Sequence, residues 1–558
     1  MDHLDKILIE NSKKFRFNQN KNILFATGFS GYNHGAIIDK LISSSLLFRG
    51  YSVEFFLCDK FLSTCMLTKI KQVQPEELST IKEQPRCENC FKIGLEYLKN
   101  LPIKKNYFSE FISHSEIEKI DDICNSTKLE NLENFKYKGI NTGEEAFAGA
   151  LRYFGKEKIN DEKFKTPILK KFLNSALRTQ ISFENLIKKN NYDVVVYSHG
   201  VYVPHGIINQ ILKKNNIRSV VYIPSYRKNT FIFSHNDTYH RTMISEPIDK
   251  WLDIKFDQKK ERLIKNYLES RKTGENDWIW FNKDNNFNFN GICNEFLIDK
   301  NKKVVTLLTN VVWDAKLHYK SNAFINMFDW IVETIEFYKN KKDTQLIIRV
   351  HPAEITGDVP SRQKVEEELS KKYEKLPENV KIIPPSSSAS TYSLIENSNL
   401  LLIYNTKTGI EAAAMGKKVV VAGEAWIRNK GFSWDAESKD DYLSILRTIN
   451  LNENLDEEKK QNALKYAYHV FFRRMIEISS IKINYLKNNK FTTNINNISE
   501  LLPNSNHQLD LIIDGIINNS DFINKNEDIS LNKNSNKFDF LFKKISINLS
   551  NFLKILRT

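Results

Sequence analysis

Short apolar runs alternate with helical periodicity in two separate parts of the chain. KNILFAT (21–27) predicts a buried strand, the loop GFSGYNHG (28–35) follows, and Ile37, Ile38, Leu41, Ile42, Leu46 and Leu47 share one helical face. YSVEFFL (51–57) predicts the next strand, so the pattern opens a doubly wound sheet. From about 60 to 190 the pattern is helical and polar. YDVVVYS (192–198) and RSVVYIP (218–224) predict two more strands around a helix near 205–214.

The second run begins at KKVVTLLT (302–309) and continues through TQLIIRV (344–350), NVKII (379–383), NLLLIY (399–404) and KKVVVAG (417–423). Helical patterns at 322–338, 362–373, 391–397 and 408–415 separate these strands, and a helix over 457–476 closes the run. Strands alternating with helices predict a parallel sheet, with ligands beyond the carboxyl ends of its strands. The expected fold is therefore α/β: two Rossmann-like domains facing a cleft. Residues 1–245 form the first domain, 246–300 the connection and 301–483 the second domain. The Asn-, Ser- and Lys-rich stretch 484–558 is expected as a flexible tail, with a short helix near 510–517 and a basic amphipathic helix over 537–558.

Composition narrows the function classes. No stretch approaches the roughly 18 apolar residues of a membrane span, and the first residues lack the apolar block of a secretory signal. A cytoplasmic location is expected. The net charge of +14 favours anionic partners. The cations are dispersed and accompany no recognition motif, so nucleic acid is not expected. The terminal segment, with Phe538, Leu541, Phe542, Ile545, Leu549 and Leu553 among Lys543, Lys544, Lys554 and Arg557, predicts either peripheral contact with a membrane or docking on protein.

Candidate chemistry follows the strands of the second run. In RVHPAE, Arg349, His351, Pro352 and Glu354 leave a strand end; Pro352 fixes the turn, and an imidazole there can donate to a phosphate oxygen. In YNTKTGIEAAAMG, Asn405, Thr406, Lys407, Thr408 and Gly409 precede a small-residue helix whose start suits an anion, and Glu411 is placed to reach ribose hydroxyls. Arg428 and Lys430 follow the next strand, and Asn310, Trp313 and Asp314 the first. In the first half, His34 at a helix start is a candidate base for an acceptor hydroxyl or a packing residue, and Glu144 and Glu145 are further candidates. Gly31, His199, His205, Arg227, His235 and His240 complete an expected acceptor side. Cys58, Cys65, Cys87 and Cys90 fall close together. Cys87-x-x-Cys90 has metal-hairpin spacing, so structural zinc, free thiols and redox function all stand as readings.

The blocks LLTNVVWDAKLHY, RVHPAEI, PPSSSASTY and YNTKTGIEAAAMGKKVVVAGEAWIRNKG, over about 300–435, resemble bacterial capsule polysaccharide biosynthesis proteins and, through them, capsule Kdo transferases. SHGVYVPHG and YRKNTFIFSHNDTYH share the resemblance. It implies a GT-B fold, a nucleotide-sugar donor on the second domain and a polysaccharide or lipid-linked acceptor on the first. His351-Pro352 matches the family's HP motif. The Ser/Thr-x-x-x-Glu motif is imperfect: Lys407 stands four residues before Glu411, between Thr406 and Thr408. The expected activity is that of a glycosyltransferase, and with no Asp-x-Asp metal motif in the core it is expected to work without a catalytic metal. An epimerase, a polyol-phosphate transferase and a non-catalytic assembly subunit are the alternatives.

Overall fold

The computed structural model describes residues 3–29, 31, 33–277, 281, 285–484 and 490–526; for 33, 34, 482–484, 490 and 491 it describes the backbone alone. The terminal basic segment 537–558 lies outside the described residues. The first sheet holds β1 (Asn22–Gly28), β2 (Ser52–Leu57), β3 (Lys104–Tyr107), β4 (Val194–Ser198), β5 (Ser219–Pro224) and β6 (Thr230–His235). The second holds β7 (Lys303–Leu308), β8 (Thr344–Arg349), β9 (Val380–Ile383), β10 (Leu400–Ile403), β11 (Val419–Val421) and β12 (Trp434–Asp435). A late strand, β13 (Ile476–Glu477), returns to the first sheet.

The spatial orders are β13-β6-β5-β4-β1-β2-β3 and β12-β11-β10-β7-β8-β9. The second sheet is parallel throughout; in the first, β6 runs antiparallel to both of its neighbours, β5 and β13. Both sheets reverse strand order at an internal pair, β1/β4 and β7/β10. That is the doubly wound arrangement, and it leaves a crevice at each reversal. β4, β8 and β10 are buried along their whole length, as sheets covered on both faces require, which is why they read as unbroken apolar runs.

Helix Glu457–Tyr468 packs on helix Thr408–Ala414. The chain then crosses back through a π-helical turn, His469–Arg474, to place β13 beside β6. The segment expected as tail is ordered as far as the description goes. Ile495, Leu501, Leu509, Ile512, Ile513, Ile516, Ile517 and Phe522 are buried in one core with β1, β4 and helix Asn33–Phe48. Helix His507–Asn518, capped by Asn506, carries five of them at helical spacing. The expectation of a flexible stretch from 484 is corrected here, while the short helix expected near 510–517 stands within His507–Asn518. Ile512→Ala should lower unfolding stability by about 2–4 kcal/mol in a denaturant titration. A loss under about 0.5 kcal/mol would mean that this helix does not complete the first domain.

Candidate functional site

The crevice between β7 and β10 opens into a cleft of ≈ 290 Å³. Its floor is two loops, one after each strand, joined by Asn310 Nδ2 donating to Asn405 Oδ1 at 2.8 Å. Thr309, Arg349, His351, Pro352, Thr406, Lys407 and Thr408 line the second-domain side. The opposite wall comes from elsewhere in the chain. The β5–β6 turn supplies Tyr226, helix Tyr239–Ser245 supplies Tyr239 and His240, and helix Gln258–Arg271 supplies Arg271.

His351 is held at both ends of its backbone turn. Its N–H donates to Thr309 Oγ1 at 2.9 Å, and its Nδ1 accepts from the N–H of Ala353 at 3.0 Å. An Nδ1 that accepts cannot carry the proton, so the neutral ring carries it on Nε2. Burial, with Arg349 and Lys407 nearby, pushes the imidazole down to about 4, so this tautomer prevails at neutral pH. Arg349 is 2% exposed and donates from Nη1 to Pro384 O and from Nη2 to Ser387 O. Both partners are neutral carbonyls, so its charge is spent on no carboxylate; burial alone lowers it, to about 10.

Lys407 lies 4.1 Å from the Tyr226 ring centroid and pairs with Glu411. Burial, then Arg271, bring it down to about 8. Glu411 is fully buried. It accepts from Arg271 Nε at 2.9 Å, from Tyr392 OH at 2.5 Å and from Lys407. Burial pushes its carboxyl up, but Arg271 and Lys407 outweigh that and hold it at about 2. Arg271 continues to Asp277 at 2.5 Å, and Asp277 takes the hydroxyl of Tyr267 at 2.7 Å. The network therefore ties the cleft to the connection between the domains.

Several predicted ligands are placed otherwise. Glu411 does not face the cleft, since every close partner is a side chain of its own network. Glu354 is buried under the turn and accepts from Val365 N at 3.1 Å, and burial lifts its carboxyl to about 7. Arg428 braces Gly423 O, Ala436 O and Glu437, and Lys430 donates to Ile244 O and Glu246 O, so both hold loops together. Gly409 is required by packing rather than by a phosphate: a Cβ there would meet Ile403 Cδ1 at 2.5 Å.

On the first domain, Arg227 is bound by Glu477, Phe471 O and Met475 O, while His235 meets Ser520 O and stacks on Phe522, so both anchor returning chain. His205 meets Thr27 O at 2.7 Å beneath Phe29. His199, with φ of 71°, is held neutral by burial and by neighbouring cationic groups. Gly31 N donates to Cys90 Sγ at 3.1 Å. The side chain of His34 lies outside the described residues. Among the described side chains of this group only His240 lines the cleft, accepting from Trp426 Nε1 at 3.3 Å. Cys58, Cys65, Cys87 and Cys90 are free thiols, and among the described residues no group of three or more His, Cys, Asp or Glu side chains is placed to hold a metal ion.

The domains meet beside the cleft. Glu145 accepts from Tyr202 N at 2.8 Å and pairs with His318 of the second domain at 3.1 Å. Burial opposes both charges, but each holds the other ionised. A Cβ on Gly206 would stand 2.1 Å from Glu145 Cδ, so this approach needs glycine. Tyr202 OH donates to Asp314 Oδ1 at 3.1 Å and accepts from Ala315 N at 2.9 Å. Asp314 is walled by protein yet open to solvent in the cleft, and burial raises its carboxyl. Beyond the Glu145–His318 pair lies a second cavity of ≈ 270 Å³, lined by Glu144, Asn209, Gln210, Lys213 and Arg241 among others.

Sequence reasoning did not find Arg271, Tyr226, Tyr392 or His318. Arg271 ends a helix rich in Lys and Glu that reads as solvated, and nothing local distinguishes it. Tyr226 and His240 lay within the block YRKNTFIFSHNDTYH, which shares the family resemblance.

Residues 291–452 match the family model described as "Capsule polysaccharide biosynthesis protein". The second domain is thus similar to that family. The capsule-family match takes in every cleft residue from Leu308 to Trp426, while Tyr226, Tyr239, His240 and Arg271 fall before it. No curated protein matches the chain. Among solved structures, the KpsC beta Kdo 2,4 transferase of Thermosulfurimonas dismutans is 12% identical, with 49% of this chain and 79% of that chain covered and a TM-score of 0.33. The UDP-GlcNAc 2-epimerase of Neisseria meningitidis, bound to UDP-GlcNAc, is 11% identical over 80% and 94%, with a TM-score of 0.26. The spinosyn rhamnosyltransferase SpnG is 9% identical over 81% and 96%, also at 0.26. Likenesses at these scores bear on neither chemistry nor domain arrangement.

Proposed function

We propose that the protein is a glycosyltransferase of capsule-type polysaccharide synthesis that takes a sugar from a nucleotide-activated donor. The observation that carries this reading is the cleft at the β7/β10 reversal, where a neutral His351 with its proton on Nε2 stands beside two cations, Arg349 and Lys407. The donor phosphate lies against these three groups. As the glycosidic bond to phosphate breaks, His351 Nε2–H donates to the oxygen that gains charge, and the two cations stabilise it. Side chains thus supply the positive charge, so the reading needs no catalytic metal. Tyr226, Tyr392 and Trp426 give the cleft aromatic surface for base or sugar.

The acceptor hydroxyl approaches from the first domain. Asp314, open to the cleft and raised by burial, takes its proton. The second cavity beyond Glu145–His318 holds the preceding part of a glycan acceptor, with hydroxyls facing Asn209, Gln210 and Glu144. The protein works at the cytoplasmic face of a membrane, where a lipid-linked acceptor would lie. No described helix is long and apolar enough to cross a membrane.

The test is incubation of the purified protein with CMP-, UDP-, GDP- and CDP-linked donors, with and without oligosaccharide or lipid-linked acceptors. Sugar transfer that requires acceptor supports the reading. Conversion of donor alone indicates epimerisation, and no nucleotide binding at millimolar concentration removes the donor site. The pH dependence adds a check. Lys407 is charged below about 8 and neutral above it, so donor affinity should fall by up to about tenfold between pH 7 and pH 9. Lys407→Met should bind weakly at both pH values. A wild-type affinity that stays flat to pH 9 would remove Lys407 from the donor site.

A further inference from the structure

We infer that the face from which the chain leaves the described structure, at Asn526, docks on an anionic lipid surface. The inference deepens the membrane contact of the reading above but does not depend on its donor site. The segment 247–255, PIDKWLDIK, runs along this face. Trp251 is buried and packs its ring on Phe432 and Tyr466, which pins the segment to the body. Ile248 and Leu252 on either side stay 38% exposed, where a segment serving only to pack would have turned them in.

Beside this segment lies a groove of ≈ 380 Å³ with five cations in its lining, Lys250, Lys255, Lys260, Arg473 and Lys525, against three aspartates. Lys250 and Asp521 pair at 2.7 Å, and the buried Lys260 pairs with Asp257 at 3.0 Å, so the rim cations set the charge that faces outward. Lys255 and Lys525 are exposed on the rim. Exposed aliphatic side chains among lysines are what the polar–apolar boundary of a bilayer accepts: the cations meet lipid phosphates and the aliphatic groups enter the acyl margin.

What the sequence does next decides between occupants. Residues 537–558 carry five cations against one acid, interleaved with Phe, Leu and Ile. The ten intervening residues reach at most about 40 Å when extended, so this segment begins within that distance of Asn526. Like charge opposes its folding back into the groove, whereas an anionic bilayer attracts both. Each determinant alone is weak, and stable anchoring takes two.

The full-length protein should co-sediment with phosphatidylcholine vesicles that contain phosphatidylglycerol, and not with phosphatidylcholine alone. Lys255→Glu with Lys525→Glu should weaken that binding at least about fivefold, and Ile248→Asp with Leu252→Asp should act in the same direction. Phe542→Asp with Leu553→Asp should weaken it independently. Unchanged melting temperatures show that the variants fold. The inference is overturned if the body variants bind as the wild type does while the tail variant alone loses binding, if both vesicle types bind equally, or if neither binds. Vesicle binding by a protein that binds no nucleotide would leave this inference standing and remove the donor reading.

Discussion

His351→Ala lowers the rate of sugar transfer by about 10²–10³-fold at saturating donor, with a smaller change in donor KM. The asymmetry follows from where the ring's proton sits. Nδ1 is committed to the N–H of Ala353, so Nε2–H is the available donor, and the need for it grows as charge develops on the departing phosphate. In the proposed site the ground-state donor would keep its contacts with Arg349 and Lys407, so binding should survive. His351→Asn retains an N–H donor of similar reach and should recover part of the rate. Steady-state kinetics with whichever donor turns over give both parameters. An alanine variant within about threefold of wild-type kcat would place the leaving group elsewhere.

Arg271→Ala has the second large effect, and it falls on stability as well as binding. Arg271 touches Asp277 at 2.5 Å and Glu411 at 2.9 Å, both buried. Removing it takes the ion-pair partner from Asp277 and leaves Glu411 with Lys407 and Tyr392, and breaking a buried pair in this way costs about 3–5 kcal/mol. The sign of the pH dependence is set by Glu411. Its folded value of about 2 lies below the ordinary 4.5, so it contributes stability that is present above 4.5 and lost as pH falls toward 2. Without Arg271 that carboxyl rises, and acid unfolding should begin at higher pH. Lys407 also loses a neighbouring cation, so its own value should climb and the pH dependence of donor affinity should shift upward. Denaturant titrations at pH 7 and pH 4 measure the first effect and nucleotide binding across pH the second. A variant as stable as wild type would mean that Arg271 and Glu411 are not coupled.

Parts of the site were legible in local sequence. His351, Lys407 and Asn405 follow strands whose apolar runs are unmistakable, and a parallel sheet brings the ends of such strands to one edge. Glu411 was not legible. A carboxylate in the first turn of a helix looks the same whether it faces ribose, solvent or a buried arginine, and its partner lies 140 positions away. Arg428 and Lys430 followed a strand too, yet their donors meet backbone carbonyls of nearby loops, which no pattern announces. The tail was misread outside its expected helix for a related reason: Asn recurs through 484–506 and makes the stretch read as solvated, while the partners of its buried Ile495 and Leu501 lie in distant strands and helices.

The chain by itself determined two alternating α/β runs, the central strands β1, β2, β4, β5 and β7 to β11 but not β3, β6, β12 or β13, and the loops at which a ligand would meet the second run. Periodicity and turn chemistry act over a few residues, so they are written locally. Only the tertiary structure decided that the chain recrosses at 469–477 to complete the first sheet, that Tyr226 and Arg271 form the far wall of the cleft, and that Glu411 serves a buried ion network instead of a ligand. Those outcomes depend on which distant charges and apolar faces come to share one low-dielectric volume, and that is set by packing rather than by neighbours in sequence.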